Sequence, residues 1–352
     1  MTPHNTFRSL AGTVLAATAL IGVPCYAEAN QLTPWGDPDL EGLWDFRTLT
    51  PFERPDELAE QTVMSAEQAT QLRSTKINLL NTDNRTTNSA VDIEASYNNA
   101  WYDWGDTLTP DLRTSLIVDP PDGKLPQLTD AAREAMVRHN LHREPPVRDL
   151  FSFSAGVTDF RPAGPEELGL SERCLVGFNA SPHLTPSAYN NNLRIIQTPH
   201  HVLLVSEMIH TARVIPMHGH PRLPQDMQFW SGDPRGRWEG GTLVVETENF
   251  TGKTPTIQIV GGSVADATNS GAVGSAENFR LVERFTRTSQ NTLRYEYTID
   301  DPKTFKKPFT VAIPLKPADG LMFEYACHEG NYAIAGMLRG ARRAEADDAS
   351  LD

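Results

Sequence analysis

The chain has 352 residues and a formal net charge of −14, with 31 lysine and arginine residues against 45 aspartate and glutamate residues. This acidic balance excludes nucleic acid as a predicted partner, because phosphate binding requires a basic stripe of side chains and the sequence contains none. The 26 prolines and 24 glycines are typical of a β protein with many turns and not of a helical bundle.

Residues 1–27 have the pattern of a secretory signal peptide. Arg8 supplies the positive charge, an apolar run extends from Leu10 to Val23, and Cys25 to Ala27 places small residues at the cleavage positions. The two alternatives are a lipid attached at Cys25 and an uncleaved N-terminal anchor. The apolar run is short for a membrane span and no second span follows. We therefore expect a periplasmic or secreted protein that is not inserted in the membrane after cleavage.

Removal of the signal peptide leaves two cysteines, Cys174 and Cys327. In an oxidising compartment, two thiols favour a disulfide, which would join the central loop region to the end of the chain. The alternative is a pair of buried, unbonded cysteines that act as small apolar side chains.

In chain order, the first notable element is Gly42 to Trp44. This tripeptide resembles the Gly-x-Trp with which a lipocalin chain enters its barrel, and the alternative is that Trp44 is an ordinary core residue. Ser65 then predicts the N-cap of a helix that has Glu67 and Gln68 in its first turn.

A cluster of aromatic residues follows a polar stretch. Trp101, Tyr102 and Trp104 either cover the core or line a ligand cleft. The long segment 151–186 is rich in glycine and proline, and such loops inside a compact domain are functional or lie over the core.

Short strands without intervening helices dominate the second half of the chain. The predicted strands are Thr114 to Val118, Leu193 to Gln197, Val202 to Glu207, Thr211 to Pro216, Thr242 to Phe250, Phe279 to Arg287, Thr292 to Asp300, Phe309 to Leu315 and Leu321 to Cys327. Their spacing predicts a mainly β fold, an antiparallel β-barrel that is lipocalin-like in the loose sense. Residues 28–190 are predicted to wrap the barrel with loops and helices. The barrel and a short C-terminal helix are predicted to span 191–343, and 344–352 to be a disordered tail.

The stretch from Trp230 to Phe250 is predicted to organise the fold. Asp233, Arg235 and Arg237 are predicted to form a charged turn, and the two glycines after Glu239 permit a tight hairpin. The strand that follows alternates in the two-residue period of a sheet.

Several predicted strands alternate apolar with charged side chains. In Thr292 to Asp300 one face is apolar, with Leu293, Tyr295, Tyr297 and Ile299, while the other face is charged and polar. If the charged faces point inward, the barrel contains a polar pocket. If they point outward, they form a solvated sheet surface.

Histidines and arginines near the central stretch are the candidate site. The predicted catalytic residues are His210, His328, Arg213 and Asp233, and the predicted substrate-binding residues are Arg235, Arg237, Glu246, Glu324 and Trp230. Guanidinium groups can hold a carboxylate or an enolate by paired hydrogen bonds, and a nearby histidine can act as acid or base. The alternative is a structural network of ion pairs that holds the turn.

The leading functional hypothesis is a cofactor-independent enzyme that acts on a small, partly apolar organic molecule by proton transfer, as a lyase, isomerase or cyclase. The sequence contains no Gly-x-Ser-x-Gly elbow, no P-loop and no dinucleotide fingerprint. One alternative is a non-catalytic periplasmic binding protein for an apolar ligand. Another is a metal-dependent hydrolase that uses His218 and His220, although no metal site is assigned. The sequence leaves the oligomeric state open.

Five segments resemble a family of secreted proteins from Gram-negative and soil bacteria that are largely uncharacterised. The segments are ERCL (Glu172 to Leu175), RTSLIVDPPDGKLP (Arg113 to Pro126), GDPRGRWEGGTLVVETENF (Gly232 to Phe250), VERFTR (Val282 to Arg287) and YACHEGNY (Tyr325 to Tyr332). The resemblance extends over most of the chain after the signal peptide. It implies a secreted protein and carries no activity and no residue roles.

Overall fold

We describe a computed structural model of the chain. It covers residues 31–83, 98–135, 161–180, 183–259 and 271–350. The predicted signal peptide, residues 1–27, lies outside the described residues. Within the described ranges, no helix combines the length and the apolar character that a membrane span requires.

Strands account for most of the regular structure. They are β1 (Gly42–Asp45), β2 (Ile117–Asp119), β3 (Asn192–Gln197), β4 (His201–Ser206), β5 (Ala212–Pro216), β6 (Asp233–Glu239), β7 (Thr242–Glu248), β8 (Ile257–Ile259), β9 (Gly271–Val273), β10 (Arg280–Ser289), β11 (Thr292–Asp300) and β12 (Phe309–Pro317). Among the described residues, the two long helices are α1 (Ala66–Leu80) and α2 (Tyr332–Ala349).

The main sheet is antiparallel and almost closes on itself. Its strands follow the order β5-β4-β3-β1-β12-β11-β10-β7-β6, and β2 also pairs with β12. The end strands β5 and β6 pack side by side without pairing, while β8 and β9 form a separate small sheet. The predicted mainly β, antiparallel, barrel-like fold is therefore confirmed.

The strand pattern explains which face is buried. On β11, Leu293, Tyr295, Tyr297 and Ile299 are all fully buried, and they form one core with residues of every other barrel strand except β6. Alternate residues of a strand point to opposite faces of a sheet. The predicted apolar face of this strand is therefore the inner face of the barrel.

Strand β1 completes the barrel between β3 and β12. Trp44 is only 2% exposed, and its indole N–H donates to the Leu40 carbonyl over 3.0 Å. The Arg287 guanidinium lies 5.0 Å from the centre of the Trp44 ring, within range of a cation–π interaction. Trp44 is therefore both a core residue and part of a barrel strand. Strands β1 and β2 both belong to the barrel sheet, although they lie in residues 28–190, which were predicted to wrap the barrel with loops and helices.

The helix predicted after Ser65 is confirmed as α1. The Ser65 hydroxyl accepts from the Gln68 backbone N–H over 3.2 Å, and the Gln68 side chain accepts from the Ser65 N–H over 2.8 Å. This reciprocal capping box satisfies two donors at the helix start.

The inside of the barrel is filled by the chain itself. The segment that we call the plug, residues 168–180 and 183–188, places Leu170, Val176, Phe178 and Leu184 in the same core as the strands. It covers part of the loop 151–186, of which residues 151–160, 181 and 182 lie outside the described part of the chain. The plug therefore occupies the space where a lipocalin-like barrel would hold a ligand.

A disulfide joins Cys174 of the plug to Cys327, with their Cα atoms 5.8 Å apart. The disulfide is confirmed, and it links the plug to the segment after β12. In the same region, the Asn331 amide donates to the Glu172 carbonyl over 2.7 Å.

Three local predictions are wrong. Asp233 to Arg237 is part of strand β6 and not a turn, because β6 pairs with β7 along its whole length. Leu321 to Cys327 is irregular and not a strand. It finds no place in the sheet, because β12 is paired on one side with β11 and on the other side with β1 and β2.

The third correction concerns the C-terminus. Helix α2 was predicted to end near Arg343, yet it continues to Ala349 through most of the segment that was predicted to be a disordered tail. Ion pairs stabilise this acidic end: Arg343 pairs with Asp347 at 3.1 Å, and Arg161 pairs with Asp348. Opposite charges four residues apart on a helix favour the helical state.

A glycine allows the barrel to close. A Cβ atom at Gly236 of β6 would lie 2.8 Å from the Ile215 Cγ2 atom and would clash with the Met217 sulfur. We expect Gly236→Ala to lower the free energy of unfolding by about 1–3 kcal/mol, because extra atoms in a packed contact force the strands apart.

Urea denaturation measures this loss of stability. Gly336→Ala is the matched control, because a Cβ at Gly336 of α2 meets no atom within 4 Å and alanine favours a helix by up to about 1 kcal/mol. A Gly236→Ala protein as stable as the wild type would show that β5 and β6 do not need this close approach.

Candidate functional site

The predicted substrate-binding residues Arg237 and Glu246 lie on the outer face of the barrel. Arg237 donates to Glu246 over 2.6 Å, and Arg280 donates to the other Glu246 oxygen over 2.9 Å. Burial acts to raise the pKa of Glu246, but the hydrogen bonds from the two arginines outweigh it and lower this pKa. The charged faces of β6, β7 and β10 thus form a ladder of paired ions on the surface.

Asp233 and Arg235 hold a neighbouring loop. The Asp233 carboxylate pairs with Arg235 and accepts from the Leu223 backbone N–H over 3.0 Å. The Arg235 guanidinium donates to the carbonyls of His220 and Pro221 over 3.1 and 3.0 Å. These groups therefore act as structural clamps, as the alternative of a salt-bridge network predicted. Trp230, which precedes them, is 37% exposed.

Arg213 points the opposite way, into the barrel. Its guanidinium donates to Glu283 over 2.9 Å and to the Thr247 hydroxyl over 3.1 Å. The Tyr295 hydroxyl donates to the same Glu283 carboxylate over 2.9 Å and accepts from the Leu184 backbone N–H over 3.3 Å. Burial, followed by the charge of Glu283, raises the pKa of Tyr295. Each of these side chains thus has a partner inside the core.

This buried cluster has no room for a substrate. The cavity beside Arg213 and Glu283 has a volume of about 10 Å³, which is close to the minimum for one water molecule. His183 of the plug lies nearby and stacks on Tyr297, with ring centres 4.5 Å apart. Burial and the positive charge of Arg213 lower the pKa of His183 to about 3, so its imidazole is neutral at physiological pH.

His210, Glu324 and His328 lie near one end of the barrel, and all three are exposed. The His210 Nδ1 atom lies 3.3 Å from the Tyr325 carbonyl, so His210 is close to the segment that carries the other two. The predicted catalytic residues are therefore in three places: the barrel interior, the outer face of β6 and this exposed end. They do not surround a common cavity.

Four other histidines meet in pairs at the turn between β3 and β4. The ring centres are 6.2 Å apart for His200 and His218, and 6.3 Å apart for His201 and His220. In the part of the chain that the structure describes, no three His, Cys, Asp or Glu side chains form a group that could hold a metal ion.

A different site lies beside α1. It is a surface cleft of about 320 Å³, which we call the aromatic cleft. Its apolar wall consists of Ile77, Leu80, Tyr102 and Trp104, and its charged residues are Arg47, Asp103, Asp106 and Lys316. The Tyr102 and Trp104 rings are nearly parallel, at 19°, with centres 5.9 Å apart. The two rings stack on each other, and both residues line the cleft.

The local structure places the aromatic residues firmly. The Asp103 N–H donates to the Ala188 carbonyl over 2.5 Å, and the Asn191 amide donates to the Asp103 carbonyl over 3.3 Å. Gly105 has a φ of +76°, and a Cβ there would lie 2.9 Å from the Arg47 Cβ. Glycine is therefore needed for the loop to approach Arg47 so closely.

The charges of the aromatic cleft are balanced by a buried carboxylate. Asp45, at the end of β1, is 1% exposed and accepts hydrogen bonds from Arg47 over 2.8–3.0 Å. The Lys316 ammonium lies 3.4 Å from the same carboxylate. The hydrogen bond to Asp45 is the main cause that raises the pKa of Arg47. Arg47 therefore stays charged beside the aromatic rings.

Sequence reasoning identified Tyr102 and Trp104 as possible cleft residues but missed Arg47, Lys316 and the end of α1. Lys316 is brought to the cleft by strand pairing, because Asp45 on β1 and Lys316 on β12 are register partners. The neighbours on paired strands cannot be read from one sequence before the pairing is known.

No protein-family model matches the chain, and no match is found among the curated proteins or among the solved structures.

Proposed function

We propose that the protein binds a small planar organic molecule in the aromatic cleft, and that it does so in the periplasm or outside the cell. The observation that carries this proposal is the combination of stacked Tyr102 and Trp104 rings with Arg47 and Lys316 in a cleft of about 320 Å³. Ligand sites are concave, mainly apolar, and contain a few placed polar groups, with volumes from about 300 to 1,000 Å³.

The chemistry of the cleft describes the ligand. A planar ring would stack on Tyr102 and Trp104, since offset parallel rings attract each other. Polar substituents of either type would find a partner. Arg47 and Lys316 supply donors, and the carboxylates of Asp103 and Asp106, which pair with Arg47 and Arg73, are more than half exposed and supply acceptors. The volume suits a molecule of one or two rings.

The geometry favours binding over acid–base catalysis by the predicted residues. Arg213 is paired in the core, Asp233 and Arg235 clamp a loop, and His210 lies at an exposed end. A general base must lie within hydrogen-bond reach of the proton that it abstracts. A lyase or isomerase reaction at these positions stays a prediction with less support than binding at the aromatic cleft.

A calorimetric titration tests the proposed function. We expect single-ring and two-ring aromatic acids, amines and alcohols to include molecules that bind to the wild type. For these molecules Trp104→Ala should weaken binding about tenfold, since an aromatic pair contributes about 0.5–1.5 kcal/mol beyond the area it buries.

Trp101→Ala is the matched control, because Trp101 is in the same loop, is 68% exposed and does not line the cleft. Equal affinity of the Trp104→Ala and Trp101→Ala proteins would place the site elsewhere. Failure of every such molecule to bind at about 1 mM, the range of the weakest specific complexes, would contradict the proposal.

A further inference from the structure

The charged residues of the aromatic cleft differ in how far they are already paired inside the protein. The Arg47 guanidinium donates from Nε and Nη2 to the Asp45 carboxylate and from Nη1 to the Asp103 carboxylate. The Asp106 carboxylate lies 3.4 Å from the Arg73 guanidinium. Each exposed carboxylate of the cleft is thus beside an arginine, so a ligand ammonium placed there would also meet a positive charge.

Lys316, near the end of β12, is less engaged. Its ammonium lies 3.4 Å from the Asp45 Oδ2 atom, and that oxygen already accepts from the Nε and Nη2 atoms of Arg47 over 3.0 and 2.8 Å. Among the described residues Lys316 forms no other ion pair, and its side chain is 49% exposed. Because an ammonium has three N–H donors, Lys316 keeps donors that a ligand can use.

Two cations therefore converge on one buried carboxylate. Arg47 and Lys316 both contact Asp45, which is 1% exposed. A ligand anion beside Lys316 would be attracted by the exposed ammonium, while Arg47 offsets the repulsion from Asp45. This part of the aromatic cleft therefore favours a negatively charged group.

We propose that the ligand of the aromatic cleft is an aromatic acid, whose carboxylate pairs with Lys316 while its ring lies against Tyr102 or Trp104. This inference rests on the binding proposed for the cleft, and it names the charged group of the ligand and the residue that selects it. Lys316 and both rings line one cleft of about 320 Å³, so a molecule of one or two rings can contact them together. A charged residue in a ligand site fixes orientation and gives specificity.

Three derivatives of naphthalene test the inference by calorimetric titration at pH 7: the carboxylate, the hydroxymethyl compound and the aminomethyl compound. They share the ring and differ in charge. For the wild type we expect the carboxylate to bind about tenfold more tightly than either of the others, because a hydrogen bond between charged groups is stronger than one with a neutral partner. Lys316→Met should bring the ratio of the carboxylate and hydroxymethyl affinities close to one, and Lys316→Arg, which keeps the charge, should retain the preference.

Lys307→Met is the matched control, because Lys307 is exposed on the loop before β12 and does not line the cleft. It should keep the preference of the wild type for the carboxylate. A wild type that binds the hydroxymethyl or the aminomethyl compound as tightly as the carboxylate would overturn the inference. So would a Lys316→Met protein with the same preference as Lys307→Met.

Trp104→Ala separates this inference from the proposed function. If the three compounds bind with equal affinity and Trp104→Ala weakens them all, the inference about Lys316 fails and the proposed function stands. If Trp104→Ala leaves carboxylate binding unchanged, or if neither these compounds nor the other aromatic molecules bind, both fail. A preference for the carboxylate that depends on Lys316, together with binding that depends on Trp104, supports both.

Discussion

Arg213→Met is expected to lower the free energy of unfolding by about 3–5 kcal/mol, because it leaves the Glu283 carboxylate buried without its main counter-charge. The side chains of Arg213 and Glu283 are 7% and 1% exposed. The carboxylate would keep its hydrogen bond from Tyr295, but one neutral donor does not replace a guanidinium. Urea denaturation at pH 7 measures the loss.

Arg237→Met is the matched control, with the same substitution on the outer face of the barrel. The Arg237 side chain is 48% exposed in its pair with Glu246, and exposed ion pairs contribute about 0–1 kcal/mol. Replacement of both buried partners, as Arg213→Met with Glu283→Leu, should recover much of the loss, because no unpaired charge remains. If Arg213→Met costs no more than Arg237→Met, the buried pair is not important for stability.

The second large effect concerns acid stability and His183. Its pKa is about 3 in the folded protein, against about 6.5 in an unfolded chain. Between these values the unfolded chain binds a proton that the folded protein does not bind. The contribution of His183 to the free energy of unfolding is therefore fully present above pH 6.5. It decreases as the pH falls towards 3, by up to about 1.4 kcal/mol per pH unit.

His183→Gln removes this titration. Between pH 6 and pH 4, we expect the free energy of unfolding of the wild type to fall by about 2–3 kcal/mol more than that of the variant. Urea denaturation at several pH values measures this difference. His210→Gln serves as the control for the substitution itself, because it is the same replacement at an exposed histidine. Parallel profiles for wild type and His183→Gln would mean that His183 is not a buried neutral histidine.

Some parts of the fold follow from local patterns. The two faces of β11 were predicted from alternation alone, since Leu293, Tyr295, Tyr297 and Ile299 recur with the period of a strand, but which face is buried was left open. The N-cap at Ser65 was predicted in the same way, because a cap depends on residues only a few positions apart. Such signals survive in the tertiary structure since the groups that produce them are neighbours in the chain.

Other predictions failed where the deciding partner is distant. Leu321 to Cys327 has the composition of a strand, but both edges of β12 are already paired. Asp233 to Arg237 has the composition of a turn, but the pairing with β7 makes it a strand. In both cases the availability of a partner, and not the local preference, determines the state of the segment.

The candidate site shows the same division. Tyr102 and Trp104 attract notice in the sequence because aromatic residues are rare in polar stretches. The aromatic cleft also needs Arg47 after β1, Lys316 on β12 and the last turn of α1, and only the folded chain brings these segments together. The aromatic residues of the cleft could be predicted from the sequence, whereas the contribution of Arg47 and Lys316 could not.

The sequence by itself determined the class of the fold, because the two-residue alternation of its strands and its turn residues require a sheet with one buried face. It also contained the two cysteines that form the disulfide. Only the tertiary structure decided which charged residues are inside. Arg213 and Glu283 are 70 residues apart and look like the charged residues of the outer ladder. The closure of the barrel and the entry of the plug place them together in the core, where a charge is stable only beside its partner.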